Sequence, residues 1–88
     1  MPPRKLNPEE ITWEVLWRLK RRGCWGARYT PRNAIVSWLT KIIKDNGAKV
    51  NKVLDELIKK GYLIKQKKGR TISLNPRHKK EIEMILDT

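Results

Sequence analysis

Val50-Asn51-Lys52-Val53-Leu54-Asp55-Glu56-Leu57-Ile58-Lys59-Lys60-Gly61-Tyr62-Leu63-Ile64 is the stretch whose pattern decides the fold. From Ala48 to Lys60, the residues Val50, Val53, Leu54, Leu57 and Ile58 recur at i, i+3, i+4, i+7 and i+8. That spacing places them on one side of an amphipathic helix. The opposite side carries Ala48, Asn51, Lys52, Asp55 and Lys59, with Lys49 and Glu56 at its edge. Gly61 ends the helix.

Downstream, Tyr62-Leu63-Ile64-Lys65-Gln66 and Arg70-Thr71-Ile72-Ser73-Leu74 flank Lys67-Lys68-Gly69 and read as a β-hairpin. Pairing Gln66 with Arg70 sets Ile64 opposite Ile72 and Tyr62 opposite Leu74, so a single register aligns the apolar side chains. The loop of three residues with glycine last fits a type I turn plus bulge. Asn75-Pro76 then starts a last helix, with Ile82, Ile85 and Leu86 as its apolar stripe.

Upstream, a helix is expected from about Pro31 to Lys44, with Thr30 as its hydroxyl cap. Ala34, Ile35, Trp38, Leu39, Ile42 and Ile43 form its inward face, and Asp45-Asn46-Gly47 breaks it. Cys24 to Thr30 is irregular, with Tyr29 as a candidate strand residue. The first helix runs from Asn7 to Arg22. Asn7 caps it, Pro8 takes the first helical position, and Glu9 and Glu10 suit the positive end of its dipole. Ile11, Val15, Leu16 and Leu19 enter the core, while Trp13 and Trp17 fall on the flank of that face.

The chain has 88 residues, 21 of them Lys or Arg against nine Asp or Glu, for a formal charge of +12. Leu, Ile and Val make up 25% of it, above the roughly 20% below which highly charged chains stay disordered. One domain over residues 7–88 behind a loose tail, 1–6, is the expected organisation. No stretch nears the roughly 20 apolar residues of a membrane span, and Met1 to Leu6 lacks the apolar core of a signal peptide. A cytoplasmic or nucleoid-associated protein is therefore expected. One cysteine and one histidine, Cys24 and His78, provide neither a disulfide nor a zinc cluster. They lie far apart in the sequence, and no glycine-rich phosphate loop occurs, so neither catalysis nor a cofactor is expected.

The order helix, short strand, helix, helix, hairpin, helix makes the expected class α+β, mainly α. From about Tyr29 to Leu74 the sequence resembles the winged helix-turn-helix superfamily, with the Val50–Ile64 stretch matching its recognition helix and first wing strand. The resemblance implies a three-helix core, a two-stranded wing and an added C-terminal helix. The second helix is longer than the brief positioning helix usual in bacterial regulators of this type. The stretch is also similar to winged helices that bind left-handed duplexes, with Asn51 at their phosphate-contacting Asn. Asp55 stands where those proteins have a stacking Tyr, and their Pro-Pro-x-Trp wing is missing. Tyr29-Thr30-Pro31 and the basic wing are similar to small ribosomal winged-helix proteins.

Fold-level likeness alone does not make a nucleic-acid binder, so the placement of charge has to carry the expectation. Lys65, Lys67, Lys68 and Arg70 crowd the wing with no acid among them. Lys49, Asn51 and Lys52 occupy the leading half of the third helix, the part that meets base edges in a major groove. Arg32 and Asn33, at the start of the second helix, are placed to meet a phosphate. The expectation is double-stranded DNA bound mainly through its backbone, in transcription regulation or chromatin association. Asn51 is the candidate adenine reader. Structured RNA, or a protein partner, is the alternative.

Two uses stand open for the tryptophans. Trp25 and Trp38 are expected to cover the core rather than stack on unpaired bases. Trp13 and Trp17 could pack on Ile82, Ile85 and Leu86 within the chain, or the same residues could form the surface of a homodimer. His78 is expected at the surface, and Cys24 as a small buried hydrophobe.

Overall fold

The computed structural model describes residues 7–41 and 47–87, and of Lys67 the main chain alone. Ile42, Ile43, Lys44, the Asp45-Asn46 break and the tail 1–6 lie outside the described residues. The class is α+β and mainly helical. The first helix, α1 (Pro8–Arg21), is followed by a short strand, β1 (Thr30–Pro31), and by α2 (Arg32–Thr40) and α3 (Ala48–Lys60). Strands β2 (Leu63–Gln66) and β3 (Thr71–Leu74) form the hairpin, and a 3-10 turn, Pro76–His78, leads into α4 (Lys79–Leu86).

Local chemistry accounts for the helix ends. Asn7 accepts from the Glu10 amide at 2.8 Å, and Glu10 Oε1 accepts from the Asn7 amide at 3.2 Å, so each satisfies a donor the first turn leaves free. Gly61 closes α3 at φ 89°, where a Cβ would also meet His78 Nε2 at 3.2 Å. At the other end, a Cβ on Gly47 (φ 95°) would lie 3.0 Å from Val36 Cγ1, so glycine is what lets α3 start against α2. Asn75 joins α3 to the last helix. Its Nδ2 donates to the Gly61 carbonyl at 2.7 Å, and its Oδ1 accepts from the Arg77 amide at 3.0 Å. The last helix does start at Asn75-Pro76, but through the 3-10 turn rather than directly.

Thr30 is not the cap of α2. It lies in β1, its Oγ1 2.9 Å from the Cys24 Sγ, and Pro31 occupies the cap position with no side-chain bond. The strand therefore falls on Thr30–Pro31, one residue beyond Tyr29. Proline is tolerated there because β1 is an edge strand of the order β1-β3-β2. β1 pairs Thr30 with Ile72 and Pro31 with Thr71, and the next amide, Arg32 N–H, donates to the Arg70 carbonyl at 2.9 Å. The first turn of α2 is thus hydrogen-bonded to the hairpin rather than to a cap.

The hairpin register differs from the expected one by one residue. Leu63 faces Leu74, Ile64 faces Ser73, Lys65 faces Ile72 and Gln66 faces Thr71. Lys68 takes a left-handed conformation (φ 58°, ψ 34°) before Gly69 (φ 86°), so the reversal uses Lys67 to Arg70 instead of a shorter bulged turn. The slip turns β2 over: Leu63 takes the place expected for Tyr62 opposite Leu74, Lys65 that expected for Ile64 opposite Ile72, and Leu63 enters the core at 2% exposure. β3 is buried along its whole length between its two neighbours.

The core draws on every helix and on the sheet. Ile11, Val15, Leu16 and Leu19 of α1 meet Ile35 and Leu39 of α2, Val50, Val53, Leu54 and Leu57 of α3, and Leu63, Ile72 and Leu74. Ile82 of α4 is fully buried among them, which removes it from the expected partner surface. Cys24, 6% exposed, belongs to the same core. Among the described residues, no helix is long and apolar enough to cross a membrane. Ile82→Ala should destabilise the isolated chain by about 2–5 kcal/mol, the usual cost of emptying a core site. Urea unfolding measures it, and a change under about 0.5 kcal/mol would instead mark a surface position.

Candidate nucleic-acid interface

Arg32 is the first residue of α2, and its guanidinium reaches across to α3. Nε donates to Asn51 Oδ1 at 3.0 Å, while Nη2 donates to the Asn51 carbonyl at 3.1 Å and to Asp55 Oδ1 at 2.8 Å. Asn51 and Asp55 stand one helical turn apart, so their acceptors line up on one flank of α3 and match the planar fork of an arginine. The other end of the Asn51 amide donates from Nδ2 to the Gly47 carbonyl at 3.0 Å. Both ends of this amide are therefore held inside the protein.

These contacts change two expected roles. The Asn51 amide, expected to face a base, is bonded to Arg32 and Gly47, and Arg32, expected to meet a phosphate, is bonded to Asn51 and Asp55. The Arg32 side chain is 22% exposed and the Asp55 side chain 68%, so one edge of the pair faces solvent. A pair this open contributes on the order of 0.2–1 kcal/mol. The clamp as a whole adds the two bonds to Asn51.

Beside the clamp runs a groove between α3 and the hairpin. Arg32, Asp55, Ile58, Lys59, Lys65 and Lys68 line it. Four of these six side chains are cations, and the single acid is already paired with Arg32. Lys65, Lys68 and Arg70 of the hairpin are exposed, as are Lys49 and Lys52 on α3 and Asn33 on α2. The structure thus gathers Arg32, Lys65 and Lys68 with α3, and leaves Asn33, Lys49, Lys52 and Arg70 on the surface outside the lining. The side chain of Lys67 lies outside what is described.

Lys59 is the lining residue that sequence reasoning missed, although its place beside Asp55 on the polar side of the helix was the available signal. Asp55, placed by the sequence only on the polar side of the helix, is the partner of Arg32. Its pairing with Arg32 bridges residues distant in the sequence, and no local pattern announces it.

The aromatic residues are largely occupied. Trp13 and Trp17 stack with ring centroids 5.7 Å apart and planes at 12°, and the Arg21 guanidinium lies 5.2 Å from the Trp17 ring. Arg22 sits 4.0 Å from the centre of the Trp38 ring, and Lys79 Nζ 5.8 Å from that of Trp25. Both Trp25 and Trp38 pack against the core, and Trp25 also bridges to Leu74. His78 is half-exposed, edge-on to Tyr62 at 5.6 Å, with Nδ1 3.6 Å from Glu81 Oε2. Among the described residues, no group of three or more His, Cys, Asp or Glu could hold a metal ion.

Arg32→Ala should cost about 1–3 kcal/mol in urea unfolding, since it strips partners from Asn51 and Asp55. Arg32→Lys should recover less than half of that, because an ammonium cannot span the same acceptors. Full recovery by lysine would show that charge alone, not the fork, holds α3 in place. Compared with protein-family models, curated proteins and solved structures, the chain finds no match.

Proposed function

We propose that the chain is a winged helix-turn-helix protein that binds double-stranded DNA through α3 and the β2–β3 wing. The observation that carries this reading is the groove between those elements, where Lys59, Lys65 and Lys68 surround an acid already neutralised by Arg32. An unpaired carboxylate there would repel phosphate. The Arg32 bond removes much of that penalty and leaves a positive strip along α3 and the wing.

The grip falls mainly on the DNA backbone. Lys65, Lys68 and Arg70 contact phosphates from the wing, and Lys59 does so from α3. Lys49 and Lys52 lie nearest the base edges. A lysine there can favour guanine, but it lacks the paired donor and acceptor of an asparagine. With the Asn51 amide bonded to Arg32 and Gly47, sequence discrimination is expected to be weak. Phosphate contacts fix position and supply affinity, but they do not read sequence.

Counterion release makes the reading measurable. Four to six phosphate contacts imply a slope of log K against log salt of roughly −4 to −5. Replacing Lys65, Lys68 and Arg70 together with Ala should flatten that slope by about 2 to 3. An unchanged slope would remove the wing from the interface. Structured RNA at matched salt is the competitor: tighter binding to it than to duplex DNA would replace the DNA reading with an RNA-binding one.

A further inference from the structure

The excess charge is unevenly distributed. Residues 22–75 hold 13 basic and three acidic residues, whereas α1 together with residues 76–88 holds six of each. α1 and α4 pack against one another, so one side of the molecule is close to neutral. Where this side meets α3 and Tyr62 lies a second groove, of about 490 Å³, lined by Glu9, Trp13, Leu57, Lys60, Tyr62 and Ile85. It takes the flank of α3 opposite the basic groove, since Leu57 and Lys60 project away from Asp55 and Ile58 around the helix.

Two features of the groove ask for an occupant. Trp13, stacked on Trp17, is only partly buried. Glu9 on α1 and Lys60 on α3 line the same groove, and neither takes part in an ion pair among the described residues. An apolar floor bordered by one anion and one cation is complementary to its own copy turned through a two-fold axis. We propose that a second copy of this chain docks here, with Glu9 of each copy against Lys60 of the other and the Trp13–Trp17 stacks as the apolar anchor.

Charge favours this occupant on this face. Two chains of +12 repel wherever their basic surfaces meet, and the neutral side is where that repulsion is smallest. At about 0.15 M salt, charges separated by more than about 8 Å are largely screened. The basic groove lies across α3 from the contact, and a helix is about 10 Å wide, so the two basic grooves stay beyond that range. Such a dimer leaves both basic grooves open. The inference does not depend on the DNA reading, because association is measured on protein alone.

Sedimentation equilibrium across a wide range of concentration should show the mass of two chains as concentration rises. Glu9→Lys and Lys60→Glu should each weaken self-association at least about tenfold, because like charges then face each other twice. An equimolar mixture of the two single variants should recover association, since each supplies the charge the other has lost. That recovery also separates a broken contact from a broken fold, because misfolded variants do not rescue one another. A single-chain mass for the unaltered protein at every concentration would overturn the proposal. So would single variants that associate normally, or a mixture that fails to recover.

Discussion

Arg32 is the point at which the elements of the basic face are joined. Its amide extends the β1–β3 ladder by bonding Arg70, and its guanidinium holds Asn51 and Asp55 on α3. α2, α3 and the hairpin thus meet at one residue. Hydrophobic burial assembles these elements, but it is non-directional and tolerates small rotations of a helix about its axis. The arginine fork does not. Together with the buried Val50, Val53, Leu54 and Leu57, it fixes which flank of α3 faces the hairpin, and therefore which lysines share a groove.

The same contact decides what the face can do. An asparagine on the leading half of a helix suggests base reading when only the sequence is considered. Once its Oδ1 is bonded to Arg32 and its Nδ2 to Gly47, it becomes part of the scaffold. Asp55, by sequence only a carboxylate on the polar side of the helix, becomes the counter-ion of Arg32. Local electrostatics here follow from partners distant in the chain, which helix position alone does not reveal.

Much of the fold is nonetheless legible in the sequence, for identifiable reasons. α3 runs from Ala48 to Lys60 as its apolar spacing requires, and α1 begins at Asn7-Pro8 because cap and proline chemistry are local. The inward residues of both helices follow from periodicity. What was not legible depends on backbone choices that side-chain type does not dictate. Lys68 adopts a left-handed conformation usual for glycine, which lengthens the turn and reverses β2. Thr30 could have capped α2, but pairing with β3 and contact with Cys24 draw it into a strand. The distinction between Ile82 and Ile85 is likewise tertiary, because α4 packs on α1 with Ile82 innermost.

The molecule therefore has two unlike sides, a cationic one organised by Arg32 and a near-neutral one built from α1 and α4. The central claim is that the cationic side is where duplex DNA binds. Titrating a short DNA duplex into nitrogen-15-labelled protein and following the amide shifts tests it most directly. The account predicts the largest shifts at Arg32, along Lys49–Lys52, at Lys59 and along the hairpin from Lys65 to Arg70. Shifts confined to α1 and α4, with these amides unmoved, would contradict it.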